Sequence, residues 1–325
     1  MSTDCTVCYV SDLGFLLPSV VSAASIRRFV PPHKADVSIF TLGVSSEIVE
    51  RAERLLGPQG ISVRRIDDHV LSAIDKDRLS TTLTPLATFG RFFMEDLLPR
   101  SCRRLVYLDG DVLCVRDPTA LIEAVVPEGR FAAAEDTIFY RQTIGIGSTA
   151  RKIRNYYSDL GLKSDAGYFN AGVFAVSRDT WKSVAQDAYL FFLHNTDICK
   201  SFDQSALNVV VGDRRLRLSA KWNFQTQMKI WQVDSLLDPH ICHFNRYPKP
   251  WMGRSEPWTE IYEHYQAAVA FLAPLDLPLD TLSPEQTAQY NASTDRTYYY
   301  LRLPLASRAA LRCMNFAHIE GKAWM

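Results

Sequence analysis

Asp109 and Asp111 stand one residue apart, where the apolar run Leu105-Val106-Tyr107-Leu108 ends and Val112-Leu113 resumes. The run has strong β character and reads as a strand buried on both faces. Two carboxylates around Gly110 at its end are costly near a core unless something positive neutralises them. A divalent metal is one answer, because hard cations take oxygen ligands and keep positions open for a phosphate. The same spacing also opens phosphatase-type sites in which the first Asp is a nucleophile. Strand-end carboxylates can also cap a loop with no chemistry at all. On the motif alone all three readings stand.

The elements around the pair must bring it partners. Thr6 to Val10 reads as a strand, followed by a polar break at Ser11-Asp12 and a helix with Pro18 in its first turn. Val37 to Thr41 is the next strand, and Ile48, Ala52, Leu55 and Leu56 then recur at helical spacing. Gly57-Pro58-Gln59-Gly60 stops that helix, and Ile61 to Ile66 makes a third strand. Leu86, Phe89, Phe93 and Leu97 mark one face of a helix leading into Leu105–Leu108. Strands separated by helices of this length imply βαβ units and a mostly parallel sheet, an α/β fold. Ligands in such sheets bind beyond the carboxyl ends of the strands. Asp12 and the Asp109/Asp111 pair both stand at such ends, which predicts one shared crevice. The pattern predicts a single domain over residues 1–275 and a tail over 276–325.

Composition narrows the class. The 325 residues are 47% hydrophobic and 22% charged, and Lys+Arg equals Asp+Glu at 36 each. That balance gives no global field favouring nucleic acid or an anionic membrane. No apolar stretch reaches the ~18–20 residues needed to cross a bilayer. Asp4 and Asp12 stand where a signal peptide would carry basic residues. The expectation is therefore a cytoplasmic protein whose seven cysteines are reduced thiols. Cys5 and Cys8 form a lone C-x-x-C inside a strand-like run, with no second pair at zinc-site spacing, and are expected to pack in the core.

Four further segments accompany the aspartate pair: Val10-Ser11-Asp12; Phe89-Gly90-Arg91-Phe92-Phe93; Tyr168-Phe169-Asn170-Ala171-Gly172-Val173; and Phe202-Asp203-Gln204-Ser205-Ala206-Leu207-Asn208. A last one is His243-Phe244-Asn245-Arg246-Tyr247-Pro248-Lys249-Pro250-Trp251. In this order, from Val7 to about Trp258, the chain resembles the family 8 glycosyltransferases. These are retaining, nucleotide-sugar-dependent enzymes of the GT-A fold, a Rossmann-like mixed, mostly parallel sheet flanked by helices. The group includes bacterial lipopolysaccharide glucosyl- and galactosyltransferases and glycogenin-like enzymes.

The resemblance implies roles for particular positions. Asp109, Asp111 and His243 would hold Mn²⁺ or another divalent cation, a mixed oxygen and nitrogen set suited to such an ion. The two aspartates would thereby also meet the diphosphate of a UDP-hexose donor. Lys249 would place a point charge on that diphosphate, and Arg91 would orient the aspartates or meet the diphosphate. Asp12 would accept a hydrogen bond from the uracil, and Phe15 would stack on it; the residue-level alternative is that Asp12 caps a turn and Phe15 is core. Asn170, Asp203 and Gln204 would grip the hexose near its anomeric carbon, with Asp203 also free to cap its own helix. The implied reaction moves glucose or galactose to a carbohydrate or lipid-linked acceptor, with the leaving diphosphate as base for a front-face attack.

The chain departs from the family pattern in two places. Arg246 stands where the family usually has Gly, and Leu13-Gly14-Phe15 replaces its usual Asp-Asn-Tyr. Arg246 would either replace a backbone contact to the diphosphate with a charge or block the approach. A haloacid dehalogenase-type phosphatase is disfavoured, since about a hundred residues of βαβ pattern precede the aspartates. A non-catalytic nucleotide-sugar-binding scaffold is the other rival. In the tail, Arg296, Arg302, Arg308 and Arg312 alternate with Tyr298-Tyr299-Tyr300, Leu301, Leu303, Leu305 and Leu311. Such interleaving suits either peripheral contact with an anionic leaflet or a helix packed on the domain.

Overall fold

The computed structural model describes residues 3–66, 87–144, 148–163, 167–302 and 316–325. Among these, the strands are β1 (Cys5–Ser11), β2 (Asp36–Thr41), β3 (Ile61–Arg65), β4 (Arg104–Leu108), β5 (Val112–Cys114), β6 (Phe131–Glu135), β7 (Phe169–Ser177), β8 (Arg215–Leu218), β9 (Phe224–Gln225) and β10 (Ile241–His243). Seven make the central sheet, in the order β3-β2-β1-β4-β7-β6-β8. β1 pairs in parallel with β2 and β4, β2 with β3, and β6 with β8, while β7 runs against both its neighbours. This is the mixed, mostly parallel α/β sheet expected, with β1 and β4 buried nearly along their whole length.

Strand direction decides where the chemistry can sit. β1 and β4 are parallel, so Asp12 and Asp109 leave the sheet on the same edge. β7 is antiparallel to β4 with Leu108 opposite Val173, so the first residues of β7 reach that edge too. The Asp109 amide donates to Gly172 O at 2.8 Å and fastens the two there. β5 continues directly from Asp111 into a small sheet, β5-β10-β9, in which His243 pairs with Val112. Val112 follows Asp111, so this pairing brings His243 beside the carboxylates across more than a hundred residues of chain.

The segment before β4 differs from the expected helix. A single α turn over Ala87–Gly90 passes into a 3₁₀ helix over Arg91–Leu97. The tighter winding rotates the buried face, so Phe89, Phe92 and Met94 are buried whereas Phe93 and Leu97 are only partly covered. Leu86 lies outside the described residues. Cys5 and Cys8 are both buried in β1, where residues three apart face opposite sides of the sheet. Burial pushes the Cys5 thiol up to about 12 and Cys8 well above its usual range, as for packed, unreactive thiols.

The described parts of the 276–325 segment lie against the domain. The Leu282 amide donates to Met252 O, and Asn291 Oδ1 accepts from the Glu256 amide near the start of the Pro284–Arg302 helix. At the C-terminus, the Trp324 amide donates to Arg217 O and Met325 O accepts from the Ser219 amide, which covers the exposed edge of β8. Phe316 stacks on Tyr140 at 4.9 Å, and Glu320 accepts from Ser219, Ala220 and Tyr140. Leu303, Leu305, Arg308, Leu311 and Arg312 lie outside the described residues, as do the side chains of Arg296, Tyr298–Tyr300, Leu301 and Arg302. No helix among the described residues is long and apolar enough to cross a membrane.

Phe316 is 1% exposed, so Phe316→Ala is expected to cost about 3 kcal/mol, the usual penalty for emptying a buried aromatic site. Urea unfolding of parent and variant measures it; a midpoint unchanged within error would show that the terminal segment does not bear on the domain.

Candidate active site

A cleft of about 400 Å³ opens beyond the ends of β1 and β4. Of the residues singled out in the sequence, Asp12, Phe15, Arg91, Asp109, Asp111, Asp203 and Gln204 line it. Asn170, His243 and Lys249 reach it through hydrogen bonds and ion contacts to those residues.

At its inner end Asp109, Asp111 and His243 each turn a ligand atom inward, all within 4.8 Å of one another. His243 Nε2 lies 3.3 Å from Asp111 Oδ1 and 3.8 Å from Asp109 Oδ2. Gly172 makes this possible, because a Cβ there would lie 2.2 Å from His243 Cε1 and 2.7 Å from Asp109 Oδ2. Gly110 is held in the same way, since its Cβ would lie 2.3 Å from Ser19 Oγ.

The state of His243 follows from a chain of hydrogen bonds with one solution. Asn170 Oδ1 accepts from the Gly172 amide, and Asn170 Nδ2 donates to the Asp136 carboxylate. Those partners cannot exchange roles, so the Asn170 amide has one orientation. Asn170 Oδ1 must then take Asn223 Nδ2, at 3.0 Å, which leaves Asn223 Oδ1 facing His243 Nδ1 at 2.9 Å. Nδ1 therefore carries the proton that Asn223 accepts, and Nε2 is the ring nitrogen available to a metal. The three inward groups are thus all electron-pair donors, an arrangement that fits a divalent cation.

Positive side chains hold the two carboxylates. Arg91 is buried, with Nη2 on Asp109 Oδ1 at 2.9 Å, Nη1 on Ala171 O at 3.0 Å and its Cζ 4.5 Å from the centre of the Tyr107 ring. The Tyr107 hydroxyl donates to the same Asp109 oxygen at 3.0 Å, leaving Oδ2 turned to His243. Arg91 Nε lies 3.2 Å from Asp203 Oδ2, but its N–H is aimed at Thr88 O. That contact is Coulombic, and Asp203 Oδ2 is buried without a hydrogen bond. Burial pushes the Asp203 carboxyl up to about 6, with Arg91 opposing the rise and Asp109 adding to it. Lys249 Nζ sits 2.6 Å from both Asp111 Oδ2 and Phe244 O. Burial works against the charge on Asp111, but Lys249 and His243 outweigh it and hold the carboxyl well below its usual range. The expected contact of Lys249 was with a diphosphate; the structure seats it on a carboxylate of the inner cluster.

The remaining expected residues are placed as follows. Gln204 Oε1 accepts from the Ala171 amide and Asn170 Nδ2, and its Nε2 donates to Asp136 Oδ2. Phe202, just before Asp203, has φ +50°, a costly value for a bulky side chain. Asp12 Oδ1 accepts from the Phe15 amide, so it does cap a turn, while the side chain also borders the cleft. Phe15 packs edge-on against Trp251 at 5.8 Å. Arg246 is directed to Gln227 Oε1 at 2.6 Å.

Tyr107, Asp136 and Asn223 were not anticipated. Tyr107 is two residues before Asp109 on a strand, hence on the same face. Asp136 follows β6, and the strand-end logic applied to Asp109 would have found it. Asn223 lies in no motif, and nothing local marks it.

Comparison with known proteins places this arrangement. The model of glycosyl transferase family 8 matches residues 6–254. General stress protein A of Bacillus subtilis is 27% identical over 277 residues, covering 80% of this chain and 90% of that protein. A lipopolysaccharide 1,3-galactosyltransferase of Salmonella typhimurium is 26% identical over 263 residues, covering 75% of this chain and 72% of that one. The crystal structure of the galactosyltransferase LgtC with donor and acceptor sugar analogues superposes with a TM-score of 0.62, at 18% identity, over 86% of this chain and 98% of that one. The last likeness bears on the fold, which is that of the GT-A transferases.

Two predictions follow from the geometry. Gly172→Ala drives a methyl group into His243 and Asp109, so Mn²⁺ affinity is expected to fall by roughly 10- to 100-fold, the effect of disturbing the groups that orient ligands. Calorimetric titration with Mn²⁺ reads this directly, and unchanged affinity would dissolve the proposed ligand set. Asp203 has a folded value of about 6 against 3.8 ordinarily. Its ionised form therefore opposes folding above that pH, and the penalty lifts as pH falls through 6. The parent should gain stability relative to Asp203→Asn between pH 8 and pH 5; a difference independent of pH in denaturant unfolding contradicts the assignment.

Proposed function

The chain belongs to glycosyl transferase family 8, and from that premise we propose that it is a metal-dependent retaining hexosyltransferase. It moves glucose or galactose from a UDP donor to a carbohydrate or lipid-linked acceptor with an α-linkage. The observation that carries this reading is the buried convergence of Asp109, Asp111 and His243 Nε2 at the inner end of a cleft. Electron-pair donors gathered out of water call for a cation, and the open side of the cleft leaves room for an anionic ligand on it. The galactosyltransferase name of the Salmonella relative supports hexose as the transferred group.

A bound Mn²⁺ or related ion would supply Lewis acidity to the departing diphosphate. The rest is work for this chain's own side chains. Arg91 and Tyr107 hold Asp109 with one oxygen turned inward. Lys249, on Asp111, is within reach of the same inner end and offers a mobile positive charge to the diphosphate. Asp12 and Phe15, at the end of β1, suit the edge and the face of a uracil ring. Asp203 and Gln204, with Asn170 behind Gln204, form the part of the cleft assigned to the hexose. Gln204 has both ends of its amide engaged, so it positions and does not attack. The Asp136 oxygens are occupied by Asn170, Gln204 and the Ile138 amide, and Asp203 is pressed against Arg91. With no carboxylate released for a covalent intermediate, attack by the acceptor on the face the diphosphate leaves is favoured, the diphosphate taking the acceptor's proton.

UDP should bind at least about tenfold more tightly in Mn²⁺ than in EDTA, because the ion bridges like charges. Incubated without acceptor in Mn²⁺, the protein should slowly hydrolyse one member of a UDP-sugar panel, which identifies the donor. Asp109→Asn and Asp111→Asn, nearly isosteric changes, should lose that turnover and remain folded. Full turnover in EDTA or in either variant would sink the reading.

A further inference from the structure

Two arginines converge on a single neutral atom at the rim of the cleft. Arg141 Nη2 and Arg246 Nη1 both donate to Gln227 Oε1, the latter at 2.6 Å. Gln227 is 6% exposed, whereas both arginines reach solvent. One amide oxygen satisfies a single donor on each guanidinium and carries no charge, so the two positive groups face each other with their repulsion uncompensated by this partner. Planar forks brought together in this way match a group with several anionic oxygens.

The location ties the pair to the reaction. Arg141 lies on the Thr137–Ile144 helix, which starts immediately after Asp136. Arg246 lies three residues beyond His243, where the family usually has Gly. Gln225 links the two segments, its Oε1 accepting from both the Thr137 amide and Asn245 Nδ2. The arginine pair therefore stands between the element that carries Asp136, beside the sugar-gripping amides, and the one that carries His243. A molecule held there borders the hexose end of the cleft.

We propose that Arg141 and Arg246 form an acceptor subsite for an anionic group, a phosphate monoester or a carboxylate borne by the glycan that receives the hexose. The proposal rests on the hexosyltransferase reading for the word acceptor, but not for the anion site itself. Arg246 replaces the family's Gly as a recognition residue and leaves the inner cluster untouched.

The test is calorimetric titration of the full chain in EDTA, where no cation can bridge an anion to Asp109 and Asp111. The probes are glucose 6-phosphate, glucuronate and methyl α-glucoside. At least one anionic sugar should bind about tenfold or more tightly than the neutral glucoside. Preference for glucose 6-phosphate alone assigns a phosphate, for glucuronate alone a carboxylate. In the Arg141→Ala/Arg246→Gly double variant the preference should vanish while circular dichroism and melting temperature stay at parent values. Arg246→Gly alone, at an exposed position, serves if the double variant does not fold, and should lose most of the preference. Equal binding of charged and neutral sugars, or a preference that survives the substitutions, overturns the proposal. UDP-sugar consumption by the same preparation tests the hexosyltransferase reading separately.

Discussion

The Asn170 side chain is the constraint on which the inner end of the cleft depends. Its amide is clamped between a donor and an acceptor that cannot trade places, the Gly172 N–H and the Asp136 carboxylate. From that single orientation the Asn223 amide is set, and from Asn223 the imidazole of His243. Gln204 is oriented from the other side of the same amide. One buried side chain thus relates the groups assigned to the sugar and the groups able to hold a cation. Low local dielectric makes such a network rigid when every member is paired, and costly when one is removed.

Charge is arranged in the cleft so that each carboxylate has a particular cation. Arg91 serves Asp109 by a direct hydrogen bond and Asp203 only through space. Asp203 is consequently the less compensated of the two, and its burial shows in a raised titration range. Lys249 serves Asp111. A flexible ammonium can leave a carboxylate when a stronger cation arrives, whereas the guanidinium of Arg91, bonded also to two backbone carbonyls, cannot. Asp109 is thereby a fixed ligand and Asp111 one whose partner can change.

Much of this was legible in the chain. The alternation of strands and helices through residue 66 matches the elements found, and strand-end carboxylates were enough to predict that Asp12, Asp109 and Asp111 share a crevice. The stretch before β4 was read with the wrong period, because four apolar positions compatible with an α-helix are also compatible with a 3₁₀ winding that buries a different set. Tyr107 and Asp136 obey rules already in use for their neighbours and went unread. Asn223 could not be read, since its role is defined wholly by what surrounds it.

The sequence by itself determined the fold class, the family, and the residue types at the ends of β1, β4 and β7, because these depend on local periodicity and on spacing along one stretch of chain. Only the tertiary structure decided which oxygen of Asp109 faces inward, that Lys249 rests on Asp111, and that Arg141 meets Arg246 on Gln227. Each of those pairs residues from different elements. Their geometry comes from strand direction and close packing at Gly172 and Gly110, and no one-dimensional pattern encodes a distance between segments a hundred residues apart.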